Sequence, residues 1–177
     1  MSQEVTTSSR RVYEGRVVSL RVDTVRLDNG RTTEREIVEH RGAVAMVALD
    51  EDDNVLLVRQ FRKPAERELL EIPAGTLEPG EGPLACAKRE LREEVGCRAE
   101  HMEEVDTFYT SPGFCTERIH LYLATGLIPA PSPSEEDEAI EVVKVPLAEA
   151  LATVKSGEIA DAKTIIGLLT IWAKRMT

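Results

Sequence analysis

The sequence predicts an α/β fold, a mixed β-sheet flanked by helices, preceded by an N-terminal antiparallel β hairpin region. Three observations carry this expectation. Short apolar or alternating runs bounded by Gly, Pro, Asn and Asp fill most of the chain; one amphipathic helical stretch stands among them; two further helical stretches close the chain.

From Arg16 to Glu39 the residues alternate, and Asp28-Asn29-Gly30 interrupts them with a turn that tolerates positive φ, which predicts two antiparallel strands. A second pair follows at Gly42 to Leu49 and Val55 to Phe61, joined by the acidic turn 50–54. The run AVAMVAL is almost continuously apolar, as a central strand requires. Strand signals return at Glu68 to Pro73, Glu104 to Thr110, Glu117 to Thr125 and Ala139 to Val145. Gly82-Pro83 starts a helix over about residues 83–95 and Gly96 stops it. Pro146 opens another that Ser156-Gly157 ends, and a last helix covers about 161–174. The lone Trp172 on that helix is expected to pack in the core or against a second copy, and His40, His101 and His120 show no ligand spacing.

At 177 residues the chain fits one main core, and the pattern divides it into an N-terminal β region at 1–41 and a main domain at 42–177. A formal net charge of −10 offers no basic stripe, so nucleic acid is not an expected partner, and a phosphate-bearing ligand needs local arginines or cations. Cys86, Cys97 and Cys115 are odd in number and form no CxxC pair, which suits a reducing compartment. No apolar run approaches a membrane span and the first residues lack a signal-peptide core. The expectation is a cytoplasmic protein with no membrane partner.

The chemistry concentrates in GTLEPGEGPLACAKRELREEVGC, residues 75–97. At 100° per residue Leu84, Ala87, Leu91 and Val95 share one helix face, Glu90 and Glu94 sit together beside it, and Glu93 lies further round. Like charges four residues apart repel, more so when half-buried, and a hard divalent cation with oxygen ligands relieves them. Magnesium suits such carboxylates; zinc does not, without His or Cys nearby. An arbitrary REXXEE string would be a solvated face on which Arg89 and Arg92 balance the glutamates. Here Gly75, Glu81, Leu91 and Gly96 also fall in register, a joint agreement that average residue usage makes improbable.

These residues match G-x5-E-x7-R-E-U-x-E-E-x-G-U, with U a bulky aliphatic, and the segment therefore resembles the Nudix box. Cys97 is the one departure, at a position where the family carries Ile, Leu or Val. The resemblance implies a Nudix αβα sandwich, with Glu90 and Glu94 as principal metal ligands, Glu93 as an additional one and the Ala74 carbonyl facing the metal. Mg2+ is the implied cofactor, with Mn2+ as a substitute. Arg89 would hold the glutamates and Glu81 would fix the loop.

The box specifies pyrophosphate chemistry and leaves the substrate open. Pro112 in TSPGFCTE resembles the downstream proline of the ADP-ribose pyrophosphatase subfamily. Glu136 and Glu138, in an acidic stretch that by itself reads equally well as a solvated loop, resemble the loop that supplies the general base there, with Glu138 favoured and Glu136 its helper or alternative. Arg62 looks like the arginine that grips the diphosphate; Arg59 shares its strand end, and Glu117 resembles a residue on the ribose side. The N-terminal region resembles one exchanged between subunits, which would bring Arg35 and Glu36 into the partner's site and make the protein a homodimer. Val17-Val18 stands where some relatives carry an aromatic that stacks on adenine.

The expected activity is therefore Mg-dependent hydrolysis of a nucleoside diphosphate small molecule, ADP-ribose, to AMP and ribose 5-phosphate. The alternatives are hydrolysis of nucleotide sugars or dinucleoside polyphosphates, a non-catalytic ADP-ribose sensor, and a dimeric scaffold with a merely solvated acidic helix.

Overall fold

The computed structural model describes residues 4–130 and 140–176. The chain divides into two compact units, Met1–Gly42 with Tyr109–Arg118, and Ala43–Phe108 with Ile119–Thr177. The stretch from Tyr109 to Arg118 thus goes with the N-terminal region, although the sequence pattern alone assigned it to the main domain.

In the first unit β1 (Val5–Glu14), β2 (Ser19–Arg26) and β3 (Thr32–Glu39) form an antiparallel sheet in that order. The predicted hairpin is present, with Gly30 at φ 79° in its turn. Strand β1 was not expected. VTTSSRRVYE has no apolar alternation and is exposed along its whole length, so backbone pairing with β2, and not burial, makes it a strand. The loop after Tyr109 returns to β3, where Val38 N–H donates to the Phe114 carbonyl and Thr116 N–H to that of Val38.

In the second unit the sheet runs β10 (Glu141–Pro146), β5 (Asn54–Arg62), β4 (Ala43–Leu49), β9 (Arg118–Pro129), β8 (Cys97–Tyr109); β6 (Arg67–Glu71) pairs with β5 and β7 (Ala74–Thr76) with β4. It is mixed, because β4 and β9 are parallel while β5 and β10 are antiparallel. The expected β4–β5 hairpin pairs only beside its turn, at Ala48–Leu56 and Leu49–Val55. Beyond that, β4 exchanges its partner for the short β7, which carries no alternation and escaped the sequence reading.

Every residue of β4 is buried, and alternate side chains enter different cores. Ala45, Val47 and Leu49 pack with Leu147, Leu168 and Ile171 of α2 (Leu147–Ser156) and α3 (Ala162–Arg175). Val44, Met46 and Ala48 pack with Ala87, Leu91 and Val95 of α1 (Pro83–Val95). Helices on both faces explain why the central strand is apolar throughout. Leu84, expected on the apolar face of α1, is exposed in its first turn, where Cys86 is buried instead. Trp172 is 47% exposed and so is not a core residue of this chain; Leu168 and Ile171 fill that place. No helix among the described residues is long and apolar enough to cross a membrane.

Candidate active site

Helix α1 begins as its sequence demands, with Gly82 extended and Pro83 in the first turn, and it ends at Gly96, left-handed at φ 72°. Between these stops the acidic edge of the helix lies against β7. Ala74 N–H donates to Glu94 Oε2 at 2.9 Å. Gly75 abuts Glu90 so closely that a Cβ there would stand 1.9 Å from the Glu90 carboxyl carbon. The glycine is therefore required by space and not by its backbone angles.

Arg89 ties the acids together. Its Nε and Nη2 each donate to Glu81 at 3.0 Å, and its Nη1 donates to Glu90 Oε1 at 2.7 Å and Glu93 Oε2 at 2.9 Å. The guanidinium holds the Glu81 carboxyl down to about 2, and Glu81 in turn accepts the Glu78 N–H, which locks the loop onto the helix. Burial pushes Glu90 the other way, above the usual carboxylate range, because its side chain is only 14% exposed. Cys86 beneath is pushed up to about 12 by burial and by Glu81.

These are hard oxygen donors around a half-buried carboxylate that favours a nearby positive charge. Among the described residues no three Asp, Glu, His or Cys side chains converge as a ready cation cage. Carboxylates completed by ligand phosphates are a donor set that a hard divalent cation accepts, and Glu90 and Glu94 are of that chemistry.

Arg62, at the end of β5, donates from Nε and Nη2 to the two oxygens of Glu71 at 2.8 and 2.7 Å. Glu94 lies close enough to raise the Arg62 pKa by its charge, after the larger effect of the Glu71 hydrogen bonds. Arg59 faces Glu141 across the β5–β10 register and pairs with it at 3.3 Å. Glu136 and Glu138 lie outside the described residues.

In the first unit Arg35, Glu36 and Pro112 line one cavity of about 340 Å³, within the size range of small-molecule sites. Glu4 occupies the Arg35 fork at 2.6 and 3.0 Å. Glu117, in the same loop as Pro112, accepts from Thr110 Oγ1 at 2.7 Å and stands 3.6 Å from His40 Nδ1. Among the members of this cavity that went unread in the sequence are Arg21, and Phe114, which is 57% exposed. An aromatic among so few could have been found in SPGFC, two residues after Pro112. In the second unit Glu71 and Lys163 went unread; Glu71 was signalled by a lone acid inside the apolar LLEIPAG run.

The arrangement is a carboxylate-bearing helix braced by arginine against a mixed sheet. Residues 39–166 match the NUDIX domain model, and residues 4–38 match the nucleoside diphosphate sugar hydrolase N-terminal domain. This chain belongs to the Nudix family. It is 46% identical over 168 residues to the methanol dehydrogenase activator of Bacillus methanolicus, covering 94% of this chain and 91% of that one. It is 46% identical over 164 residues to the ADP-ribose pyrophosphatase of Bacillus subtilis (strain 168), covering 92% and 89%. A solved structure described as an ADP compounds hydrolase superposes with a TM-score of 0.86 at 23% identity, over 98% of this chain and 96% of that one, and shares its fold.

Proposed function

We propose that this chain hydrolyses the diphosphate of ADP-ribose to AMP and ribose 5-phosphate with the help of a divalent cation, Mg2+ in the first place and Mn2+ as a substitute. The observation that carries the reading is the Glu90–Glu94 edge of α1, set against Ala74 and Gly75 and braced by Arg89. The identity to an ADP-ribose pyrophosphatase over most of both chains supports the substrate.

Glu90 and Glu94 would hold the cation, with Glu93 as an additional ligand and the Ala74 carbonyl beside them. Bound there, the cation would neutralise diphosphate charge and acidify a water molecule. Arg89 keeps the acids together, because its Nη1 reaches both Glu90 and Glu93. Arg62 presents a planar fork suited to a diphosphate. Glu138, or Glu136 in its place, would take the proton from the attacking water. Pro112 and Glu117, with Arg35 and Glu36 entering the site of a partner copy, would contact the nucleoside and ribose parts, and Arg59 lies on β5 with Arg62.

The reading extends to a homodimer in which the 1–41 region is exchanged, and β1, exposed on every residue, is the strand such an exchange would cover. The unpaired Cys86, Cys97 and Cys115 accord with a cytoplasmic location.

One observation favours a second substrate class: the N-terminal match to nucleoside diphosphate sugar hydrolases. A Mg2+-dependent assay across ADP-ribose, nucleotide sugars and dinucleoside polyphosphates, with products identified, decides between them. AMP and ribose 5-phosphate formed fastest from ADP-ribose is the expected result; equal rates on all three classes would remove the ADP-ribose assignment, and tight binding without product would make the chain a sensor.

A further inference from the structure

Among the described residues of the second unit Glu71 is the most deeply buried carboxylate, 1% exposed at the end of β6, and it holds two cations at once. Arg62 donates to both of its oxygens, and Lys163 Nζ, from the first turn of α3, donates to Oε2 as well. A buried carboxylate has to be paired to stay ionised, but a single arginine fork already satisfies that need. The second cation calls for a reason.

The first turn of α3 is itself fastened to this place. Asp161 caps the helix by accepting the Thr164 N–H at 3.0 Å and its hydroxyl at 2.6 Å. The buried Thr164 Oγ1 accepts the N–H of Ile72, the residue after Glu71, at 2.9 Å. Gly167, one turn on, lets the helix come within 2.9 Å of Ile72 Cδ1, measured from where its Cβ would stand. Lys163 is therefore delivered to Glu71 by a rigid element, 3.1 Å from Asp161 as well.

The consequence falls on Arg62. Glu71 takes its Nε and Nη2, leaving the Nη1 edge outside that pair on a side chain 40% exposed. Arg62, Glu71, Asp161 and Lys163 together are neutral, with the charge of Glu94 also reaching Arg62; without Lys163 these surroundings become one charge more negative beside the arginine that is to meet an anion. Lys163 also shares Oε2 with Arg62 Nη2, so it fixes the carboxylate plane against which the guanidinium is laid.

We infer that Lys163, acting through Glu71, is a positioning residue that holds Arg62 with one edge presented to the substrate diphosphate and keeps its surroundings from repelling that anion. This rests on the reading of Arg62 as the diphosphate clamp.

The test is a double-mutant cycle on the full chain with ADP-ribose and saturating Mg2+. Lys163→Met should raise KM on the order of tenfold with kcat changed by less than about twofold, the pattern of lost ground-state binding through a supporting residue. Lys163→Arg should restore KM to within about twofold, and in the Arg62→Ala background Lys163→Met should change nothing further. A merely structural lysine would instead cost the same factor in both backgrounds, and that result overturns the inference, as does a wild-type KM in Lys163→Met. Should the methionine variant fail to fold, Lys163→Gln carries the same comparison. A wild-type KM in Arg62→Ala would sink the clamp reading itself, whereas loss there with none in Lys163→Met would sink only the role of the lysine.

Discussion

Strands β1 and β4 are opposite answers to one question, what makes a stretch of chain extended. Every residue of β4 is buried and none of β1 is. In β4 the free energy comes from apolar surface removed from water on both faces, and backbone pairing follows because buried amides must be satisfied. In β1 pairing comes first, and its charged side chains make surface ion pairs such as Arg11–Glu39 at 2.8 Å. Such pairs contribute little each and weaken with salt. The acids proposed to hold the cation lie in the unit built in the first way, where a rigid core can hold them; the unit built in the second way carries the cavity lined by Arg35 and Pro112.

The largest expected effect isolates chemistry from folding in the core-built unit. Glu90→Gln removes one charge from a half-buried carboxylate and should lower kcat on the order of 10³-fold while the melting temperature holds or rises. Near-normal turnover would break the assignment of the site. Next, Met46→Ala empties a fully buried position of β4 and should cost about 2–5 kcal/mol in chemical denaturation. Gly75→Ala lies between folding and chemistry. The new Cβ displaces the far end of the Glu90 side chain and leaves backbone alone, so turnover should fall by about 10²-fold against a loss of only a few degrees in melting temperature.

A smaller effect reads the acid limb. The folded Glu81 carboxyl sits at about 2 against an ordinary value of 4.5 because Arg89 hydrogen-bonds its ionised form. A depressed folded pKa stabilises above the ordinary value and is lost as pH falls. Glu81→Gln should therefore melt below wild type at pH 7, and the gap should close between pH 4.5 and about 2. A gap that persists at the acid end would assign the loss to packing. The smallest change is expected at Val12→Ala on β1, under about 0.5 kcal/mol for an exposed site. A cost well above 1 kcal/mol, growing with protein concentration, would mean that a second copy covers β1, and would sharpen the homodimer reading.

What could be read before folding was what short-range physics decides. The Gly82-Pro83 start, the Gly96 stop and the spacing of Glu90 from Glu94 lie within a few turns of one helix, where 3.6-residue periodicity and capping act without reference to the rest of the chain. The apolar run of β4 likewise announced a strand covered on both faces. Strands β1 and β7 carried no pattern of their own, because each is extended only through a neighbour that offers it hydrogen bonds. The sequence by itself thus determined the α/β class, the acidic helix edge and the family. Only the tertiary structure decided which partners those acids and Arg62 meet. Lys163 reaches Glu71 across 92 residues, and Phe114 joins Arg35 only because a distant loop returns to β3. Charge pairing is set by closeness in space, and closeness between distant residues belongs to the packed chain and not to any window of it.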